Sequence, residues 1–443
     1  MKFIGESMKT FTAQIICALL GMVSTIIIAH TLGPSGKGAY SLIILFPTML
    51  GQLGTLGIQI ANANFAGSKR YKIGDLASNS LIAALGLGII LPLGFLFYML
   101  YQPSVIADAN PQFIMIALLA VPFLLLRLYF GYLLLGGQKI NQYNFLPVFQ
   151  VSLAVLILLV VLLGLGMGLL ATIITWVLAN VAAGILSILL VKRLVNIKWS
   201  FHPRLFGDSV RFGIQGYLGL VAYSLNFQLA TLLLAFFMNT TSIGYYSVAL
   251  NVASLLSFFP AAVGVVIFTR VVGMSAKEAN ITTPQVCRNT LFITILAAVI
   301  VFALSKYIII LLYGESFLPA LHSLWILLGG MVAFSIFGVL GNELAGRGRP
   351  IVLFIAYAAA LAVNVLLSLW LIPLWGLNGA ALATAISYFV AAIVGLIWFL
   401  RISGNTLTNT LFPRREDINL YTGIITRLWK WSFSQMMRIK DHQ

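Results

Sequence analysis

The residues of this chain equipped for chemistry are few, and most are cations or amides set in apolar sequence. Arg127 stands in the stretch FLLLRLYFGYLLLGG at 123–137. A charged side chain in such surroundings is costly and usually faces a cavity or a partner. A guanidinium can grip an oxyanion with two parallel hydrogen bonds, which a compact ammonium cannot do. The alternative is an arginine that snorkels to the nearer interface or holds helices together. Lys306 lies about two turns from the end of another apolar stretch, where snorkelling comes easily. Arg211 and Arg270 fall at the ends of apolar stretches. Topology explains them, and so does a cationic mouth that attracts an anion. Asn226 and Gln228, like Asn180 and Asn364, place amides near the middle of apolar runs. A polar ligand could use such donors and acceptors, but membrane helices more often use amides to bond to each other. The candidate binding residues are therefore Arg127, Lys306, Arg211, Arg270, Asn226 and Gln228.

No catalytic set accompanies them. His30, His202, His322 and His442 are scattered without ligand spacing, so no metal site is indicated. Cys17 and Cys287 are not expected to meet as a disulfide. All 10 acidic residues fall in loops, tails or near the ends of apolar runs. Glu343 and Arg347 have the spacing of a local helix pair. A glycine-rich stretch, HTLGPSGKGAYSLI at 30–43, interrupts the apolar sequence. A phosphate loop would need glycine at position 31 and serine or threonine at position 38, with a strand before it. The chain has Thr31 and Gly38 and no strand pattern. These residues suit binding rather than bond-making, and no cofactor is expected.

The elements that position them follow from composition. The chain is 61% hydrophobic and 8% charged, with a mean hydropathy of +1.03. Soluble domains carry roughly 25% charged residues, so the solvent here is lipid. Apolar runs of about 18–25 residues recur and lack the alternation of a barrel. Twelve spans are expected, at about 9–31, 38–66, 76–101, 112–136, 143–163, 168–191, 209–238, 242–270, 286–313, 319–345, 350–373 and 377–401. The first run is too long for a signal peptide and lacks a small-residue cleavage site, so it is read as an uncleaved span. The net charge of +16 needs no nucleic acid. With the N terminus inside, all but three of the 26 Lys and Arg fall in inner loops or the tail, as the positive-inside rule requires. The exceptions are Lys37, in an outer loop, and Arg127 and Lys306, within spans. Both termini are expected in the cytoplasm.

The chain also repeats itself. At a shift of about 206 residues, Gly38 meets Gly244, Tyr40 meets Tyr246 and Ser41 meets Ser247. Further on the shift is about 212, and Gly136 meets Gly348 and Gly164 meets Gly376. Six spans separate the copies, so both keep one orientation. This predicts two pseudo-symmetric six-helix bundles with a binding site between them. The bundles are residues 1–191 and 209–402, joined by a basic cytoplasmic linker, 192–208. The glycine-proline stretch is then the outer turn between the first two spans. In the tail, 403–443, Arg427, Lys430 and Arg438 share one helical face, while Leu428, Trp429 and Met436 share another. That pattern suits an amphipathic helix on the inner leaflet, or a basic tail that only helps to set topology.

Four segments, taken in order, carry a family resemblance. They are LGPSGKGAYSL at 32–42, GYYSVALNVASLLSFFPAAVGVVIFTR at 244–270, the run Gly346, Arg347, Arg349, Pro350, and WGLNGAALAT at 375–384. Together they resemble the polysaccharide-exporter, or oligosaccharide flippase, branch of the multidrug/oligosaccharidyl-lipid/polysaccharide (MOP) superfamily, across roughly residues 5–402. The resemblance implies an all-α polytopic fold like that of the MATE transporters. It implies a flippase, not an enzyme. Its cargo would be undecaprenyl-pyrophosphate-linked oligosaccharide units, moved across the cytoplasmic (inner) membrane by alternating access. The product would be O-antigen, capsule or exopolysaccharide, and a polysaccharide polymerase and chain-length proteins would be partners beside membrane lipids. The pyrophosphate of such cargo would be the oxyanion for Arg127. A cation-coupled multidrug exporter of the same superfamily is the alternative, but such exporters often rely on an embedded carboxylate. A polytopic polymerase would need a catalytic constellation, and the outer loops here are short and without clustered His, Asp or Glu.

Overall fold

A computed structural model describes residues 2–414 and Asp417; the tail helix expected around Arg427, Lys430 and Arg438 lies outside them. The described residues form helices and connecting turns, without strands. Ten helical stretches are long and apolar enough to cross a membrane. Two of them, Lys9–Leu53 with 45 residues and Ile351–Ser403 with 53, far exceed the roughly 20 residues of one crossing. Each is broken by one glycine outside helical geometry, Gly33 (φ 66°, ψ −173°) and Gly376 (φ 52°, ψ −125°). Positive φ is open to glycine at little steric cost, so the chain reverses there within a single residue. Counted as hairpins, these two stretches bring the crossings to the expected twelve.

The first bundle contains α1 (Lys2–Leu53), α2 (Ile58–Gly67), α3 (Ile73–Tyr101), α4 (Pro111–Leu118), α5 (Val121–Gly136), α6 (Ile140–Leu158) and α7 (Leu169–Lys192). The second contains α8 (Pro203–Phe237), α9 (Thr240–Ser254), α10 (Phe258–Gly273), α11 (Ala276–Tyr313), α12 (Leu321–Gly346) and α13 (Ile351–Ser403). Local chemistry sets several of the ends. Pro34 follows Gly33 as the first residue of the returning half of α1, where a missing N–H costs nothing. Asn110 caps α4, Asn239 caps α9, and Ser275 forms a capping box with Glu278 at the start of α11. Gly404, in the left-handed conformation, ends α13.

The repeat meets itself in space. Gly38 and Gly244 lie backbone to backbone, where the returning half of α1 crosses α9. A Cβ on Gly38 would strike the Thr240 carbonyl, and one on Gly244 the Pro34 carbonyl. This crossing lies at the face of the molecule where Gly33 turns, here called the far face. The opposite, terminal face carries the start of α1 and the end of α13. There a second close approach joins the bundles, Gly57 (φ 77°) against Gly213.

A short α14 (Leu407–Leu411) follows α13 and packs beside α11. Asp417 is held by Arg288 of α11, at 2.6 Å from Nε and 3.1 Å from Nη2. Burial opposes the charged form of Asp417, yet Arg288 and the Arg414 amide hold its carboxyl below the usual carboxylate value.

Candidate functional site

Between the bundles lies a cavity of about 410 Å³. Both arms of the α1 hairpin line it, Ser24, Thr25 and Ile28 on the way out and Lys37, Tyr40 and Ser41 on the way back. Gln150 of α6 and Thr172, Thr175 and Trp176 of α7 complete the first bundle's share. Gln228 and Thr231 of α8 with Ser247 and Asn251 of α9 come from the second. Ser41 and Ser247, matched by the sequence repeat, both face it.

Among the described residues the lining holds one charged side chain, Lys37, and no carboxylate. Lys37 was expected in an outer loop. It is instead helical and only 3% exposed. The reason is the single-residue turn: Gly33 completes the reversal, Pro34 restarts the helix, and Lys37 falls in its first turn, facing inward. Its Nζ donates to Ser41 Oγ at 3.3 Å and lies 5.5 Å from the Tyr40 ring centroid. The pattern was present in the sequence, since Lys37, Ser41, Ile44 and Thr48 recur on one helical face.

Most cavity hydroxyls donate to their own helix. Ser24, Thr25, Thr172, Thr175 and Ser247 each bond a backbone carbonyl three or four residues back. A hydroxyl that has spent its proton this way offers lone pairs, so the walls accept hydrogen bonds while Lys37 donates them. Gln150 is pinned by donating to Asn180 at 2.8 Å, and Asn180 donates in turn to the Trp176 carbonyl. The surface can therefore take up a polyhydroxylated molecule carrying an anionic group.

The structure distributes the sequence candidates unevenly. Gln228 lines the cavity, donates to Ser224 at 2.7 Å and sets its Oε1 3.5 Å from the hydroxyl of Thr48 in the other bundle. Asn226 is buried within the second bundle. It accepts from Asn364 at 2.9 Å and donates to Ser387 at 3.3 Å, joining α8 to both arms of the α13 hairpin. Arg127 does not line the cavity. It sits in α5, half-buried, toward the terminal face from the cavity floor, with Tyr143, Cys17 and Tyr132 as the titratable groups acting on its guanidinium. Its Nε is buried without a hydrogen-bond partner. Lys306 is exposed on the outer side of α11 between exposed Leu304 and Tyr307. Arg211 and Arg270 are exposed, at the terminal ends of α8 and α10. Glu343 and Arg347 do form the local ion pair, and Arg347 also donates to Asn280 at 2.8 Å.

Both faces of the cavity are braced. At the far face, Asp108 of the first bundle accepts from the backbone N–H (2.8 Å) and the hydroxyl (3.0 Å) of Thr240, the first residue of α9. It thus satisfies an otherwise orphaned donor at a helix N-terminus across the bundle boundary. Ser35 and Thr240 hydroxyls lie 3.3 Å apart. At the terminal face, Tyr217 Oη donates to the Leu53 carbonyl at 2.5 Å. Tyr71 donates to Asp208, also at 2.5 Å, with Arg70 3.7 Å from the same carboxylate. The hydrogen bond to Asp208 pushes the Tyr71 phenol above its usual pKa.

Two pseudo-symmetric six-helix bundles enclosing a central cavity define an all-α polytopic membrane fold. The chain belongs to the polysaccharide biosynthesis protein family, which it matches over residues 6–273. It is 26% identical over 166 residues to the probable low-salt glycan biosynthesis flippase Agl15 of Haloferax volcanii, covering 37% of this chain and 35% of that protein. It is also 26% identical over 251 residues to an uncharacterized membrane protein of Methanocaldococcus jannaschii, covering 54% and 46%. The chain thus aligns with about a third to a half of the length of these relatives. Among solved structures, the lipid II flippase MurJ in an inward closed conformation superposes with a TM-score of 0.75 at 18% identity, covering 98% of this chain and 99% of that one. An inward-facing multidrug resistance MATE transporter superposes with a TM-score of 0.69 at 14% identity, covering 90% and 98%. These two likenesses concern the fold.

Proposed function

We propose that the protein is a flippase for lipid-linked glycans, carrying undecaprenyl-pyrophosphate-linked oligosaccharide units across the cytoplasmic membrane for assembly of a surface polysaccharide. The observation that carries this reading is the cavity: acceptor-rich hydroxyl walls, one buried ammonium at Lys37, and no carboxylate among the described lining residues. Sugar hydroxyls match the walls, and a pyrophosphate or sugar acid matches the ammonium. The family and the glycan flippase among its relatives support a glycan cargo. A small cationic drug would meet Lys37 with no anion to offset it, which disfavours the multidrug alternative.

In this reading both termini are cytoplasmic and the terminal face is the entry side. Arg211 and Arg270 draw the anionic headgroup toward that face. Arg127 grips the pyrophosphate at the entrance with its fork of donors, Lys37 takes over deeper in, and Gln228 bonds the sugar. The lipid tail stays in the bilayer while the bundles rock and exchange one closed face for the other. Polymerase and chain-length proteins would act on the released units.

The test measures lipid-linked oligosaccharide in cells lacking this protein, with its leaflet exposure read on spheroplasts by an impermeant lectin or glycosidase. Accumulation confined to the inner leaflet and relieved by the wild-type gene is the expected result. Unchanged amount and exposure would refute the reading.

A further inference from the structure

The two bundles do not share the cavity evenly. The repeat pairs α6 and α7 of the first bundle with the two arms of α13 in the second. At the shift of 212, Thr172 matches Thr384, Thr175 matches Ser387 and Trp176 matches Tyr388. The three first-bundle residues line the cavity, whereas no residue of α13 stands among its described lining. Side chains fill the space at the mates instead. Tyr388 is fully buried, with its ring centroid 5.0 Å from Phe334 and 5.4 Å from Phe227. Ser387 accepts from Asn226, and the Thr384 hydroxyl lies 3.0 Å from Tyr246 Oη. The recess is thus open at α6 and α7 and plugged at their mates.

Trp176 supplies the free aromatic surface of this recess. Among the described residues, the aromatic side chains lining the cavity are Tyr40, Trp176 and Phe227. The Tyr40 ring faces the Lys37 ammonium, and the Phe227 ring packs on Tyr223, Phe334 and Tyr388. The half-buried indole of Trp176 has neither a ring nor a cation on its face among the described residues, and its Nε1–H donates to none of them. The backbone beneath it is fixed. Asn180, 1% exposed, donates to the Trp176 carbonyl at 2.8 Å and accepts from Gln150 at 2.8 Å. Gln150 also lines the cavity. Thr172 stands one turn from Trp176 on the same helical face. Its hydroxyl proton is spent on the Gly168 carbonyl, so it presents lone pairs.

A pyranose matches this arrangement. One of its faces presents C–H bonds, whose positive ends meet the negative face of an indole, while hydroxyls ring its edge. The indole N–H can donate to that edge, and Gln150 and Thr172 can accept from it. A bare phosphate has no use for an aromatic face. We infer that Trp176, with Gln150 and Thr172, forms a sugar-ring subsite in the first bundle that makes the protein select saccharide-bearing cargo over the bare polyprenyl carrier. The inference rests on the flippase reading and assigns the sugar contact within it. Lys37 holds the oxyanion, which both lipids carry; Trp176 reads what only one of them carries.

Equilibrium binding to the full-length protein in detergent decides it. The probes are radiolabelled citronellyl pyrophosphate and the same lipid bearing a disaccharide of N-acetylglucosamine. The wild type should bind the saccharide form about tenfold more tightly than the bare form. Trp176→Ala should lose about tenfold on the saccharide form and less than about twofold on the bare form. Trp176→Phe, which keeps a smaller ring, should fall between. Lys37→Met should weaken both forms alike. Tyr388→Phe removes a hydroxyl without a hydrogen-bond partner and should bind both forms as the wild type does. Retained binding of the bare form shows that each Trp176 variant is folded. Unchanged saccharide binding by Trp176→Ala, or equal losses on both forms, overturns the inference and leaves the flippase reading standing. A wild type that binds both forms without preference also overturns it. A wild type that binds neither form refutes the flippase reading itself.

Discussion

Lys37 tests the chemistry of the cavity at a single residue. Hydrogen bonds to a charged group are worth roughly 1.5–3 kcal/mol, so Lys37→Met should lower flipping of an anionic cargo by about ten- to a hundredfold. Melting of the purified protein should change little, because among the described residues the ammonium is bonded to Ser41 and the Tyr40 face alone. Lys37→Arg should retain most activity, and an uncharged cargo analogue should not distinguish the variants. Arg127 calls for the opposite comparison. If its two-pronged geometry holds pyrophosphate, Arg127→Lys should fail nearly as badly as Arg127→Ala in complementing a null strain. Full complementation by Arg127→Ala at normal expression would remove Arg127 from the mechanism. Residue identity was legible in the sequence while residue direction was not. Asn226 and Gln228 stand two positions apart and so point to different sides of α8. One is consumed in bonding α13, the other reaches the cavity. Lys37 escaped because proline and glycine read as loop, whereas one positive-φ glycine made the whole turn.

Elements carry the braces. The repeat pairing of Gly38 with Gly244 was legible as an ordered match, but nothing in a linear sequence says that repeat mates touch. Their contact requires two helices crossing at backbone distance, which only glycine permits. Gly38→Val or Gly244→Val should therefore prise the far face open. In a background lacking Cys17 and Cys287, a cysteine at Ser41 should then react with an impermeant maleimide from that side several times faster than in the parent protein. The α14 segment gives a pH test. The carboxyl of Asp417 titrates below its ordinary value in the folded protein, so its pairing with Arg288 contributes fully above that ordinary value. The contribution is lost as pH falls through the depressed one. Protection of 407–411 from hydrogen exchange, relative to the intrinsic rate at each pH, should hold from about pH 8 to pH 5 and fall only below about pH 4. Arg288→Ala should remove it throughout, because removing one partner leaves the other charge buried and unpaired, a loss of about 3–5 kcal/mol.

At the scale of the molecule, two bundles are joined by braces at opposite faces; under the proposed alternating access one brace opens while the other holds. Composition and the spacing of cations gave the twelve crossings and their alternation, since both are averages over many residues. The contacts that brace both faces could not be read that way, because they join a few distant residues. Ser35 and Thr240 supply the decisive variant. Their hydroxyls lie 3.3 Å apart across the bundle boundary, close enough for cysteines at both positions to form a disulfide. In the same cysteine-free background, oxidation of the Ser35→Cys/Thr240→Cys protein should stop delivery of a fluorescent polyprenyl-linked saccharide to the far leaflet, and a reductant should restore it. The single variants should be indifferent to oxidant. Continued delivery by the oxidised double variant would mean that cargo crosses without separation of α1 from α9, and alternating access through this cavity would have to be abandoned.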